Sequence, residues 1–148
     1  MTNEHVQLLD ELNMQLANWN VLYTKLHNYH WYVAGQDFFT LHEKFEELYT
    51  EAAGYIDEIA ERILTIGGKP LATLSDYLNH SSLKEATGSE DAREMVINLV
   101  EDFNAIVSES KEVIEVAEDQ GDEVTADMFT GIRVSLEKHS WMFRAYLH

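Results

Sequence analysis

Apolar residues recur at alternating spacings of three and four along four long stretches of the chain. That period marks helices with one buried face. The first stretch covers about 4–33 and carries Leu9, Leu12, Leu16, Trp19, Tyr23 and Leu26. The second, about 38–66, carries Phe38, Leu41, Phe45, Leu48, Ala52, Ile59, Ile63 and Ile66. The third, about 89–120, carries Val96, Leu99, Phe103, Ile106, Val113 and Ala117. The fourth, about 123–146, carries Val124, Met128, Ile132, Leu136, Phe143 and Leu147.

Polar and glycine positions punctuate these stretches. Gly35-Gln36-Asp37 predicts a short turn, with Asp37 as N-cap of the second helix. Gly67-Gly68-Lys69-Pro70 predicts a glycine C-cap followed by a proline stop. Gly121 separates the third helix from the fourth. Residues 67–88 form the one long connection, with a short helix expected near Ser75 to Leu78. Short, long and short connections predict an all-α four-helix bundle with a crossover between its second and third helices. A single proline in 148 residues agrees with long unbroken helices.

A chain of 148 residues suits one domain spanning 1–148. At this size about 70% of the extended surface is buried on folding, which supports a core without staples. The absence of cysteine excludes disulfides, thiolate metal sites and thiol catalysis. The opening MTNEHVQLLDEL has neither a basic nor an apolar leader region, and no apolar run approaches the roughly 18 residues of a membrane span. A cytoplasmic location is therefore expected.

Charge sharpens the picture. Asp and Glu total 27 against 10 Lys and Arg, a formal net charge of −17. The first basic residue is Lys25, so no Lys-rich tail precedes the first helix. Phosphate backbones are bound by clustered Lys and Arg, and no such cluster exists here. The balance repels nucleic acid and attracts cations, although a solubilising surface alone accounts for many of the acids.

Iron and similar cations favour carboxylate and imidazole ligands. A Glu-x-x-His pattern, which holds two metals inside one bundle, is absent around all seven histidines. The second helix offers another arrangement. His42 with Glu46, and Asp57 with Glu61, are i,i+4 pairs. They fall at roughly 0°, 40°, 60° and 100° around the helix, about 140° from its apolar seam. Glu46 and Asp57 lie roughly 16 Å apart along the axis, so one ion does not reach both pairs of one helix. Two such helices packed antiparallel across a two-fold axis near residue 51 or 52 would bring His42 and Glu46 of one chain against Asp57 and Glu61 of the other. An isologous dimer would then own two equivalent sites. Thr50, Ala53 and Gly54 are small enough for close approach at the centre. A hairpin turning near residue 36 places His30 opposite His42. Each pair taken alone reads as solvated surface, and a histidine on an apolar seam as a packed residue. On spacing alone, metal binding and a bland surface both stay open.

The segment HNYHWYVAGQDFFTLHEKFEELYTEAAGYIDEIAERILTIGGKP, residues 27–70, closely resembles the signature of the Dps family of mini-ferritins. DMFTGIRVSLEKHSWMFRAYL near the C-terminus and the helix lengths are similar too, so the resemblance covers most of the chain. It implies a ferritin-like four-helix bundle. It also implies that His30, His42, Asp57 and Glu61 are ferroxidase ligands. Glu46 stands where the family usually has Asp, the same carboxylate on a longer arm.

The resemblance implies a hollow homo-dodecamer built from two-fold dimers. It further implies that such an assembly oxidises Fe(II) at inter-subunit di-iron sites, with hydrogen peroxide preferred to dioxygen, and stores ferric mineral. Trp31 is implied as an electron donor, with an interface anchor as the competing reading. Glu118, Asp122, Glu123 and Asp127 resemble acids of the three-fold pores, and Asp122 and Glu123 also suit a helix N-terminus. Glu43, Glu47 and Glu51 form a further acidic row, either a mineral-nucleating patch or solvated surface. His27, His139 and Trp141 are expected to be structural. Two other function classes compete: a non-catalytic helical assembly on the same fold, and a nucleoid-condensing protein. The charge disfavours the latter, so no direct contact with nucleic acid and none with membranes is expected.

Overall fold

The structure, a computed structural model, describes residues 2–148. Five helices follow one another: α1 (Asn3–Tyr32), α2 (Phe38–Thr65), α3 (Leu74–His80), α4 (Ala92–Asp119) and α5 (Glu123–Tyr146). The four long ones match the predicted stretches, and α3 is the expected short helix of the long connection. No helix among the described residues is long and apolar enough to cross a membrane.

Local chemistry sets the ends. The Thr2 hydroxyl accepts from the His5 amide at the start of α1. Asp91 and Glu94 form a reciprocal capping box on α4. After α2, Gly67 takes φ 91° while the Gly68 amide donates to the Ile63 carbonyl at 2.8 Å and that of Gly67 to Leu64 at 3.0 Å. This is a Schellman motif, closing two carbonyls the helix leaves open. The same motif recurs at Gly121, where the Asp122 amide donates to Ala117. Asp37 departs from expectation. It occupies the N-cap position of α2, but its side chain caps nothing. Its carboxylate instead accepts from the Tyr146 hydroxyl at 2.8 Å, tying the first turn to the end of α5.

α1 packs along α2 and α4 along α5, and α1 also meets α4 and α3. The core is continuous, with Trp19, Tyr29, Phe45, Phe103 and Phe129 among its largest fully buried side chains. Each such side chain contributes about 1.5–3 kcal/mol by leaving water. The predicted seams enter this core with one clear correction. Val124 is 59% exposed, and Thr125, Ala126 and Phe129 are buried instead. The first turn of α5 is rotated so that its cap, not Val124, meets α2.

The crossover is fastened to α1 by polar contacts. The carboxamide of the fully buried Asn18 accepts from the Ser82 amide at 2.8 Å and donates to Glu109 at 2.7 Å. Gln15 and Ser82 also donate to Glu109. Lys25 pairs with Asp102 at 2.8 Å and donates to the Lys84 carbonyl. The crossover therefore lies along α1, and the outer face of α2 stays uncovered within the chain.

Candidate metal centre

The α1–α2 hairpin brings His30 and His42 together. Their rings stack at 3.7 Å between centroids, 12° from parallel. The Nδ1 of His30 lies 2.7 Å from the His42 carbonyl, and the Nδ1 of His42 lies 2.7 Å from the His30 carbonyl. A carbonyl only accepts, so each Nδ1 carries the proton. In the neutral imidazole each Nε2 then presents a lone pair, the form a metal requires. His30 is buried, His42 half-buried, and Phe38 stacks on the far side of His42 at 4.9 Å. Glu46 extends its carboxylate to 3.9 Å from the His30 Nε2.

Asp57 and Glu61 sit further along the same exposed face of α2. The neighbouring Asp57 carboxyl, through hydrogen bonding to the protonated form and through its negative charge, raises the Glu61 pKa. Two neighbouring carboxylates whose charges repel are ones a cation would suit. Thr50, Ala53 and Gly54 between the halves are exposed, and a Cβ on Gly54 would meet open space. Among the described residues, no three or more His, Asp or Glu side chains converge as a metal-holding group. One chain thus carries two partial donor sets, separated by roughly 16 Å of helix.

The other predicted residues divide. Glu118, Glu123 and Asp127 are exposed near the α4–α5 turn. Asp127 borders a groove between α2 and α5 that Glu58, Glu61 and Arg62 also line. Asp122 holds the fold together at this turn, because it caps α5 through Thr125 and pairs with Arg62 at 2.8 Å. Burial pushes its carboxyl up, but the bonds from Thr125 and Arg62 outweigh that and lower it. Glu43 and Glu47 are exposed. Glu51 is not part of an open acidic row. It accepts from Tyr55 at 2.6 Å, from His139 at 2.7 Å and from Ser135. The buried His139 takes a Lys44 ammonium at 3.1 Å on Nδ1, so its proton sits on Nε2 against Glu51. With both nitrogens engaged it offers no ligand, as expected for a structural histidine. Trp141 is 59% exposed and is not a core residue.

Sequence reasoning left Tyr49 unassigned. Its ring stacks on His27 at 3.8 Å, stands edge-on to His30 at 5.3 Å, and its hydroxyl donates to Glu46 at 3.4 Å. The His27 Nδ1–H donates to the Tyr23 carbonyl at 2.9 Å, which fixes its ring. Trp31, 67% exposed, lies 5.2 Å from His27. The signal is only partial: a hairpin that pairs position 30 with 42 sets 27 opposite 45, and Tyr49 reaches His27 from one turn beyond.

A helical bundle with one crossover and a histidine–carboxylate face on α2 defines a ferritin-like protein, and a ferritin-like domain model matches residues 9–148. The chain is similar to the DNA protection during starvation protein of Brevibacillus brevis, 60% identical over 136 residues, covering 92% of this chain and 91% of that protein. A crystal structure of a Dps protein from Bacillus brevis matches with TM-score 0.99 at 55% identity, over 100% of this chain and 99% of that one. Dps from Vibrio cholerae O1, described as a member of a broad superfamily of ferritin-like diiron-carboxylate proteins, matches with TM-score 0.94 at 39% identity, covering 98% and 91%. The chain belongs to the Dps family.

Proposed function

We propose that this protein oxidises Fe(II) with hydrogen peroxide and stores the ferric product within a hollow dodecamer of two-fold dimers. Iron is the substrate. His30, His42 and Glu46 of one subunit would bind it together with Asp57 and Glu61 of the two-fold partner. The observation that carries this reading is the stacked histidine pair, whose Nδ1 protons are committed to backbone carbonyls and whose Nε2 atoms are left basic. The exposed Asp57–Glu61 pair on the same helix face supplies the complementary charge.

Mixed imidazole and carboxylate donors suit ferrous and ferric ions alike. Two ferrous ions held together give peroxide two electrons at once, so its oxygen–oxygen bond breaks to water rather than to hydroxyl radical. Removing both reagents would protect nucleic acid without touching it, which the net charge of −17 favours. The test is anaerobic addition of Fe(II) and then peroxide, followed by near-ultraviolet absorbance. Ferric absorbance rising faster than in a protein-free control is expected. Equal rates would favour an inert assembly on the same fold. Anomalous diffraction from crystals soaked in Fe(II) should place density between His30 of one chain and Asp57 of another.

A further inference from the structure

The outer face of α2 has a spacing that reads the same from either end. Phe39, His42, Glu46 and Thr50 are followed by Ala53, Asp57, Glu61 and Leu64, at successive intervals of 3, 4, 4, 3, 4, 4 and 3. These positions all fall within roughly 100° of one another around the helix. Across a two-fold axis midway between residues 51 and 52, an antiparallel copy sets Thr50 opposite Ala53, Glu46 opposite Asp57 and His42 opposite Glu61. The same rule sets Phe39 opposite Leu64. These two are the large apolar members of the stripe, and each lies one turn outside the metal donors. The chain's own fold leaves them bare, Phe39 83% exposed and Leu64 59%. Phe39 is also tied to the donor set, because its ring stands edge-on to Phe38 at 5.3 Å and Phe38 stacks on His42 at 4.9 Å.

We propose that Phe39 of one subunit and Leu64 of the partner subunit meet as an apolar lid over each iron centre, and that this lid selects which reagents reach the metal. This rests on the shared centre proposed above. Within one chain the two side chains sit roughly 38 Å apart along the helix, so they meet only through a second copy. A two-fold dimer holds one such contact at each end of the α2 pair. The ends are where a cleft between two helices opens to solvent, whereas small residues close its middle. A phenyl and an isobutyl group packed there offer no polar partner. A charged reagent crosses such a barrier at far greater cost than a small neutral one. Peroxide therefore passes when the lid loosens, and an anionic chelator is held out. Bound ferrous ion is thus retained until its oxidant arrives. Covering two otherwise bare apolar groups also favours this pairing of subunits.

The test uses the assembled protein loaded with Co(II) and mixed with pyridine-2,6-dicarboxylate, a small dianionic chelator, while the cobalt visible band is followed. In the wild type the stripping rate should level off as chelator is raised, because opening of the lid limits it. Phe39→Ala and Leu64→Ala should each strip several-fold faster, in proportion to chelator concentration. The double alanine variant should be no faster than either single one, since both changes remove the same lid. Exchanging the pair, Phe39→Leu with Leu64→Phe, should bring the rate nearer wild type than either of these two changes alone. Size-exclusion chromatography checks assembly, and where an alanine variant dissociates the exchange series decides by itself. Alanine effects that multiply in the double variant, or an exchange variant faster than both its parents, overturn the contact. Equal stripping in every variant, or a wild-type rate already proportional to chelator, sinks the lid alone. Absence of a bound-cobalt band in the wild type sinks the shared centre, and the lid with it.

Discussion

His30 and His42 hold each other's tautomer: each donates its Nδ1–H to the other's backbone carbonyl at 2.7 Å, across rings 3.7 Å apart. The two rings are therefore one unit, each fixed by the other residue's main chain and each stacked on the other. His42→Ala should weaken Co(II), a ferrous stand-in that peroxide does not turn over to mineral, by more than about 10-fold. His42 is half-buried on the outer face of α2, so the bundle should melt near the wild-type temperature. The paired change His30→Gly and His42→Gly should abolish the fast phase of iron oxidation and leave the oligomer intact. Titration of the cobalt visible band and size-exclusion chromatography read these outcomes. Undiminished cobalt affinity in His42→Ala would remove the imidazole from the site.

A sharing of donors between two subunits has a quantitative signature. A chain carrying His30→Gly and His42→Gly keeps Asp57 and Glu61, and a chain carrying Asp57→Asn and Glu61→Gln keeps both histidines. Neither should oxidise iron alone. Unfolded together and refolded at equal ratio, half of the dimers are mixed, and each mixed dimer rebuilds one complete site. About one quarter of the wild-type sites should return. Rapid oxidation by either parent alone would show that one polypeptide owns the centre.

Glu51 gives a prediction about pH. Burial raises its carboxyl, but hydrogen bonds from His139, Ser135 and Tyr55 outweigh that and hold it at about 2, against an ordinary 4.5. A carboxyl lowered in the folded state adds stability at pH values above its unfolded value, and loses it as pH falls toward the folded one. The contribution amounts to about 3 kcal/mol at most, because the side chain is a quarter exposed. Glu51→Gln should cost about 1–3 kcal/mol near neutral pH, partly because its amide faces the His139 proton. The gap from wild type should close between pH 4.5 and about 2, measured by denaturant unfolding. A gap that stays constant across that window would contradict the network.

Periodicity carried the helices and most of the core because burial repeats every three or four residues, whatever the partner. It failed at Val124, where a cap takes priority: Asp122 must reach both the Thr125 amide and Arg62, and this turns Val124 outward. Asp37 and Glu51 misled for the same reason. A carboxylate's partner can lie far along the chain, at Tyr146 or His139, and no local pattern reveals it. The Asn18–Glu109–Ser82 cluster that fastens the crossover was equally invisible. The histidine pair was legible because a short hairpin converts sequence separation into spatial register. The same register sets position 27 opposite 45, and Tyr49, one turn beyond, reaches the His27 ring.

Asp127 and Asp122 look alike in sequence but differ in commitment. Asp122 is bound to Thr125 and Arg62, so its charge is locally neutralised. Asp127 is exposed, and it shares the α2–α5 groove with Glu58 and Glu61. An acid in that position attracts ferrous ions toward Glu61 through long-range field, an effect that salt screens beyond about 8–10 Å. Asp127→Asn should therefore slow ferric absorbance several-fold at low ionic strength and much less at high. Asp122→Asn should leave the entry rate nearly unchanged. It should instead destabilise the bundle by about 1–3 kcal/mol, through loss of the α5 cap and of the Arg62 partner. Stopped-flow traces at two salt concentrations, paired with thermal melts, separate the two effects. An uptake rate in Asp127→Asn equal to wild type at low salt would take this residue out of the iron path, and slowed uptake in Asp122→Asn with an unchanged melt would put its neighbour there instead.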